Sequence, residues 1–311
     1  MQKVRLPRGA MIIAMLMSLF VSVVAVAQET TAKNTQKNSE EDDQVTYRVI
    51  RIPQVFGGTD PLYNYVKTLL QMALDTNADQ YGKVKLLPND RGTVQERQLR
   101  NLDNRLLDVT WSVTTAEREN LHKAVRIPLT AGLFGKRLLL IRQGDPRFSA
   151  PVPLATLKQY RAVQGQDWPD TRLYRYHGFS VLESTYQASF KVLAEGFADY
   201  YPRGILEVDY ELEYAKDYAI ALEENLLISY PSAMFFFVSR ENHPLANRIE
   251  EGLVSLLQSG DFQALLEAQP FYQSSSAHAK GRQVLELSNP MLSNESRQAL
   301  EDYLPYFSIT K

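Results

Sequence analysis

The sequence of 311 residues contains no cysteine. This absence excludes a disulfide-bonded scaffold, a thiolate-ligated zinc or iron–sulfur site and a cysteine nucleophile, and it leaves no attachment point for a lipid anchor on a lipoprotein. Histidine is scarce too, with four residues, and none of them is paired at a spacing typical of metal ligands. We therefore expect neither a metal site nor a cofactor.

Strong charge and sustained hydrophobicity are also missing. The formal net charge is −2 and the mean hydropathy is −0.29. These values exclude a polytopic membrane protein and give no reason to expect a nucleic-acid partner. The phosphate-binding, nucleophile-elbow and dinucleotide-binding glycine motifs are absent as well. We therefore expect a protein that is not an enzyme.

One long apolar run is present, and it lies at the N-terminus. Lys3, Arg5 and Arg8 precede it, and the small-x-small sequence Ala25-Val26-Ala27 follows it. This order is typical of a secretory signal peptide over residues 1–27, cleaved before Gln28, although an uncleaved N-terminal anchor remains an alternative. Removing three positive charges would change the net charge from −2 to −5. We expect a freely diffusing bacterial periplasmic protein.

The polar segment 28–44 contains a single alanine and no larger apolar residue. Such a segment cannot bury enough apolar surface to offset the entropy of ordering it, so we predict a flexible tether. The folded body begins near Val45. From there, β-branched and aromatic runs alternate with segments of helical periodicity, which predicts an α/β fold with a largely parallel sheet. Among these predictions are helices over Tyr186–Ala194 and Tyr210–Leu222 and a buried strand over Met234–Ser239.

Several loops after the predicted strands resemble those of type 2 periplasmic solute-binding proteins. The resemblance is carried by Asp108 to Glu119, which contains Thr115-Ala116-Glu117-Arg118, and by Ala131 to Arg137, Gly196-Phe197-Ala198-Asp199 and Met234 to Leu245. It covers about residues 46–270 and is closest to the amino-acid-binding branch, the bacterial extracellular solute-binding family 3.

This resemblance implies a two-lobed Venus-flytrap fold with two crossover strands and a ligand cleft between the lobes. Lobe 1 would comprise residues 45–137 and 238–311, and lobe 2 residues 138–237. The family motif implies that Arg118, next to Thr115, grips the α-carboxylate of the ligand. The aspartate that commonly binds the α-ammonium group is replaced by Arg203. If both arginines face the cleft, the ligand is anionic or carries two acidic groups.

The remaining site candidates lie at the ends of predicted strands. Trp111 and Trp168 are placed to stack on a ligand or to fill a core, and Gln164 and Asp167 precede a predicted helix whose N-terminus can hold polar groups. Phe56 and Tyr201 are candidates for aromatic walls. The sequence thus predicts a monomeric binding protein for a small polar solute, anionic or amino-acid-like, which serves an inner-membrane ABC permease or a periplasmic sensor. A dehydratase-like enzyme and a signalling or scaffold protein with a degenerate cleft remain alternatives.

Overall fold

The computed structural model describes residues 47–54, 61–89 and 93–307. The predicted signal peptide, the predicted tether and Phe56 lie outside the described residues. Within the described part of the chain, no helix is both long enough and apolar enough to cross a membrane.

The order of elements alternates between strands and helices, as the sequence predicts. The strands are β1 (Arg48–Ile52), β2 (Val84–Pro88), β3 (Thr110–Val113), β4 (Lys123–Val125), β5 (Lys136–Arg142), β6 (Arg161–Gly165), β7 (Ser180–Ser184), β8 (Tyr200–Gly204), β9 (Ile220–Leu222), β10 (Leu226–Ser229), β11 (Met234–Val238) and β12 (Gln283–Glu286). The helices are α1 (Pro61–Thr76), α2 (Ala78–Tyr81), α3 (Gln95–Asp103), α4 (Ala116–Leu121), α5 (Leu154–Gln159), α6 (Pro169–Tyr176), α7 (Tyr186–Ala194), α8 (Val208–Tyr214), α9 (His243–Ser259), α10 (Asp261–Glu267), α11 (Pro270–Ala279) and α12 (Asn294–Tyr303).

Two small sheets are formed by the first strands and β11. Strands β1 and β2 pair in parallel, and β11 lies between β3 and β4, antiparallel to both. Helix α1 buries an apolar stripe against these sheets, and the stripe includes Val66, Leu69 and Leu70. Phe235, Phe236 and Phe237 of β11 are all fully buried, which confirms the prediction of a buried strand there.

A large sheet of seven strands runs in the order β12-β10-β5-β8-β6-β7, with β9 beside β5. Its βαβ part, β6 with β7 and β8, is parallel, but β5 pairs antiparallel with β8, β9 and β10. The predicted largely parallel sheet is thus only partly correct. Strand β5 does not follow or precede β8, β9 or β10 directly in the chain, so no single helical crossover requires it to run parallel to them.

The predicted helix over Tyr210–Leu222 is wrong in its second half. Helix α8 ends at Tyr214, and Ile220–Leu222 forms β9, which pairs with Leu140, Ile141 and Arg142 of β5. The backbone groups of β5 need partners on this side, and pairing with β9 satisfies them. This tertiary demand overrides the local helical pattern.

The segment after residue 269 was not predicted to form regular structure, yet it contacts both the small sheets and the large sheet. Phe271 of α11 packs edge-to-face on Tyr65 of α1, and β12 then joins the large sheet in parallel with β10. Leu300 of α12 lies in one buried cluster with Phe235 and Phe237. The chain therefore leaves the small sheets for the large sheet and returns. The division into lobes at residues 137 and 238 stays a prediction.

The apolar core is continuous from the small sheets to the large sheet. Ile50 and Val66 belong to the same buried cluster as Leu138 and Tyr201. A separate cluster on the other face of the large sheet contains Tyr174.

Candidate functional site

Arg118 lies in the first turn of α4, directly after the end of β3. The hydroxyl of Thr115 caps this helix, because it accepts a hydrogen bond from the backbone N–H of Arg118 at 3.1 Å. The cap starts the helix at a point from which the side chain of Arg118 reaches back to β3. There its Nη1 donates to Ser112 Oγ and to the carbonyl of Val113, both at 2.7 Å. The guanidinium is therefore held in one orientation.

The other edge of this guanidinium binds a carboxylate. Nε and Nη2 of Arg118 both donate to Oε1 of Glu96, at 3.1 and 2.5 Å. The Arg118 side chain is only 4% exposed, whereas that of Glu96 is 38% exposed. The Nε and Nη2 edge of Arg118 thus binds a carboxylate from helix α3 of the same chain, and its predicted role as a clamp for a solute stays a prediction.

The loop after β6 reaches the same guanidinium from the large sheet. The carbonyl of Asp167 lies 3.5 Å from Nη2 of Arg118. Asp167 has a φ of +66°, and aspartate is one of the few residue types that adopt this left-handed conformation readily. A second contact joins the same two elements, since Arg172 of α6 pairs with Glu117 of α4 at 2.5 Å. Arg118 therefore sits where the small and large sheets meet.

Arg203 is also buried beside this loop, and its positive charge is paired with acidic side chains. Its Nε and Nη2 donate to the two carboxylate oxygens of Glu211 at 2.7 and 2.5 Å, and Glu207 lies 3.3 Å away. The indole ring of Trp168 lies 4.6 Å from the guanidinium carbon, and the ring of Tyr201 lies 4.9 Å from it. Arg203 therefore acts as the centre of a buried ion cluster under an aromatic cover.

Burial raises the pKa of Glu211 to about 7, from an ordinary value of 4.5. The positive charge of Arg203 works in the opposite direction and lowers the pKa of the same carboxyl. The pKa of Arg203 is raised by its acidic neighbours, so the guanidinium keeps its charge. The cluster is thus held together by a carboxyl group that titrates near neutrality.

Sequence reasoning missed a third buried arginine. Arg137 at the start of β5 donates to Asp170 at 2.6 Å and to the hydroxyl of Tyr230 at 2.8 Å, and Glu207 lies 3.6 Å from it. Glu207 thereby links Arg137 to Arg203. The signal was available in the sequence, because an arginine that flanks a run of buried leucines needs a buried acid nearby.

Among the described residues, the fully buried side chain of Gln164 lacks a hydrogen-bond partner at both its amide nitrogen and its amide oxygen, and the buried hydroxyl of Tyr201 lacks one too. Gln164 lies two residues after Ala162 and so on the same face of β6. Ala162 belongs to the cluster that contains Tyr174, whose hydroxyl is also buried without a partner in the described structure. An unpaired buried amide lowers the stability of the fold, so the presence of a glutamine at this position requires an explanation.

The other aromatic candidates divide between the site and the core. Trp168 covers Gly165 so closely that a Cβ atom there would lie 2.2 Å from the indole. Trp111 packs against Tyr63 and Phe236 in the interior of the small sheets. Trp111 therefore fills a core in this structure. The prediction for Phe56 stays untested, since it lies outside the described residues.

Most of the predicted residues form one chain of contacts. It runs from Thr115 through Arg118 to Asp167 and Trp168, and then to Arg203 and Tyr201. The contact chain also contains carboxylates that were not predicted as site residues: Glu96, Glu207 and Glu211. Because each arginine has an acidic partner of its own, the two arginines no longer argue for a doubly acidic solute.

A surface pocket of about 400 Å³ lies away from this contact chain, beside α4 and α9. Its most buried acidic residue, Glu119, accepts hydrogen bonds from Thr114, Ser293 and Ser296 and pairs with Arg126. These bonds attach α12 to α4, which explains the polar lining without a ligand. The described residues contain no group of three or more potential ligands placed to hold a metal ion.

Comparison with protein-family models finds no match, and no curated protein matches the sequence. Solved structures do match in three dimensions. An ancestral arginine-binding protein bound to arginine superposes with a TM-score of 0.55 at 13% identity, covering 72% of this chain and 100% of that chain.

Two further structures show the same similarity. The GluR0 ligand-binding core from Nostoc punctiforme, in complex with L-glutamate, has a TM-score of 0.51 at 14% identity, covering 72% of this chain and 99% of that one. The VFT2 domain of BvgS from Bordetella pertussis, a double mutant, has a TM-score of 0.53 at 15% identity, covering 75% of this chain and 97% of that domain. The chain therefore has the two-lobed fold of the type 2 periplasmic solute-binding proteins, as the sequence motifs predict.

Proposed function

We propose that this chain is a periplasmic solute-binding protein that captures a small, polar, amino-acid-like solute between its lobes, for delivery to a transporter or detection by a sensor. One observation carries the proposal. The Nε and Nη2 edge of Arg118, where the small and large sheets meet, binds a carboxylate at 2.5 to 3.1 Å. A planar guanidinium edge of this kind recognises the α-carboxylate of an amino acid in two parallel hydrogen bonds.

The mechanism follows from where this edge lies. A solute held by Arg118 would also meet the Asp167 loop, which belongs to the predicted second lobe. A ligand that contacts both lobes stabilises the arrangement in which they are closed. Export through the predicted signal peptide would place the protein in the periplasm, where such solutes arrive. A monomer would suffice for capture.

The first prediction tests capture directly. L-arginine, L-glutamine or L-glutamate at about a hundred times its Kd is expected to stabilise the mature protein by about 2.7 kcal/mol, which raises Tm by about 5 °C. Arg118→Lys keeps the positive charge but loses the fork, so the same solute should no longer raise Tm. Differential scanning fluorimetry measures both. A folded protein whose Tm responds to no solute, or an Arg118→Lys variant with an undiminished shift, contradicts the proposal.

The second prediction concerns Gln164. Gln164→Met is expected to raise the free energy of unfolding by about 1 kcal/mol, because it removes two buried polar atoms that lack partners. The matched control is Gln98→Met. The Gln98 side chain donates to the carbonyl of Thr93 and accepts from Thr110, so its loss should lower stability. Equal effects of the two variants in urea unfolding would contradict this prediction.

A second candidate function is that of a signalling or scaffold domain whose cleft is filled by its own side chains. It is favoured by the internal pairing of Arg118 and Arg203 with Glu96 and Glu211. Small-angle X-ray scattering separates the two functions. A binding protein should contract when the solute is added, whereas a filled cleft should give the same radius of gyration with and without it.

Catalysis has less support. The carboxyl group with a pKa near 7, Glu211, has a side chain that is only 2% exposed, and both of its oxygens bind Arg203. A general acid must reach the substrate, and this one is held away from solvent. The structural neighbours described above are binding proteins and a VFT domain rather than enzymes.

A further inference from the structure

We propose that Glu96 is an internal competitor for the solute, which occupies the carboxylate-binding edge of Arg118 and must leave before a solute carboxylate can bind. This inference rests on the proposed function, and it adds a residue that sets affinity and selectivity.

The direction of each hydrogen bond supports this role. Nη1 of Arg118 is committed to the structure of β3, through Ser112 and the carbonyl of Val113. Nε and Nη2, the edge that remains, converge on a single oxygen atom of Glu96. When a solute carboxylate approaches Arg118, Glu96 therefore already occupies the Nε and Nη2 edge of the guanidinium. The solute carboxylate can gain the fork only by replacing Glu96.

The environment of Glu96 makes this exchange feasible. Its side chain is 38% exposed, so the carboxylate can turn into water without crossing a packed interior. Glu96 also lies in the first turn of α3, where the helix dipole stabilises a negative charge whether or not Arg118 is bound. Arg118 by contrast is buried and fixed, so it needs a carboxylate at all times. One carboxylate would thus be exchanged for another.

This exchange implies selectivity for the acid group. A solute with an α-carboxylate can replace Glu96, whereas its α-amide lacks the charge and cannot compete for a guanidinium that already holds an anion. Glu96 would therefore reject analogues in which a neutral amide replaces the α-carboxylate. It would lower the affinity for amino acids at the same time. Both effects should disappear together when the carboxylate is removed.

The experiment compares wild type with Glu96→Ala in the mature protein, by isothermal titration calorimetry with L-arginine, L-glutamine, L-glutamate and L-argininamide. The matched control is Glu183→Ala. Glu183 pairs with Arg175 at 2.5 Å and is 35% exposed, so it resembles Glu96 in contact and exposure but lies outside the contact chain. Glu96→Gln serves as a second variant that keeps the size of the side chain.

We expect Glu96→Ala to bind the preferred L-amino acid at least about tenfold more tightly, the free-energy equivalent of one charged hydrogen bond. Glu96→Gln should gain less, and Glu183→Ala should match wild type. L-argininamide should bind Glu96→Ala more tightly than wild type as well, because the carboxylate that excludes it from Arg118 is gone.

The outcomes separate this inference from the proposed function. Binding by wild type with no gain in either Glu96 variant overturns the inference and leaves the function standing. Binding that appears only in the Glu96 variants supports the inference and overturns capture by the natural chain. Binding by neither wild type nor variants overturns both.

Discussion

Arg203→Met is expected to lower the free energy of unfolding by about 3–5 kcal/mol near neutral pH, because it leaves a buried carboxylate without its partner. Glu211 is the group left behind, and its side chain is 2% exposed. Urea unfolding of the mature protein measures the loss. The double variant Arg203→Met with Glu211→Leu should recover most of it, since no buried charge remains.

The pH dependence of this loss identifies its cause. In the wild type the pKa of Glu211 is about 7 against an ordinary 4.5. The folded state therefore keeps a proton that the unfolded state releases, and the contribution of Glu211 to stability falls as pH rises through that range. Without Arg203 the carboxyl holds its proton more strongly. The penalty of Arg203→Met should therefore be smaller at about pH 5 than at about pH 8.

An exposed ion pair provides the control for this prediction. Arg175→Met breaks the pair with Glu183, in which both side chains are at least one-third exposed, and should cost less than about 1 kcal/mol at either pH. A penalty for Arg203→Met that resembles this control, or that is the same at both pH values, would show that the buried cluster does not act as argued.

Gly135→Ala is expected to cost about 3 kcal/mol, the upper range for overpacking. Gly135 immediately precedes β5, and its carbonyl accepts a hydrogen bond from the backbone N–H of Tyr230. A Cβ atom at this glycine would lie 1.9 Å from the carbonyl oxygen of Tyr230. Because that atom belongs to the backbone, the two connections between the small and large sheets would have to move apart.

The control for this substitution is Gly178→Ala. Nothing lies within 4 Å of a Cβ atom there, but the φ of Gly178 is +80°. Its cost is therefore conformational only, about 1–2 kcal/mol. Thermal unfolding of both variants distinguishes the steric effect from the conformational one. Equal losses of stability would mean that the backbone at Gly135 and Tyr230 can move apart without a measurable cost in the free energy of unfolding.

The sequence predicts the local elements well because their signals are local. Helix α7 begins and ends at the predicted residues, Tyr186 and Ala194, and a periodic apolar stripe with a capping Thr185 explains why. Strand β9 was missed because its partner, β5, is about 80 residues away in the chain. Elements α11, β12 and α12 were missed because they depend on surfaces that exist only after both sheets have formed.

The candidate site shows the same limit. The Thr115 to Arg118 motif predicts a turn directly after a strand, because such a motif encodes one turn of backbone, and the structure places Arg118 there. The partners of the arginines come from elsewhere in the chain, 22 residues before Arg118 in the case of Glu96. No local pattern marks such a pairing. The acidic partners therefore show that the positive charges of the arginines are paired within the chain. They do not change the position of Arg118.

Strand β12 has a consequence for the solubility of shortened chains. It pairs with Leu226, Leu227, Ile228 and Ser229 of β10, and three of these four are apolar and buried. A chain cut after α10 would expose β10 as an open edge, with unpaired backbone groups along an apolar strand, which is a template for aggregation. The C-terminal segment thus protects the sheet from pairing with other molecules, whatever else it contributes.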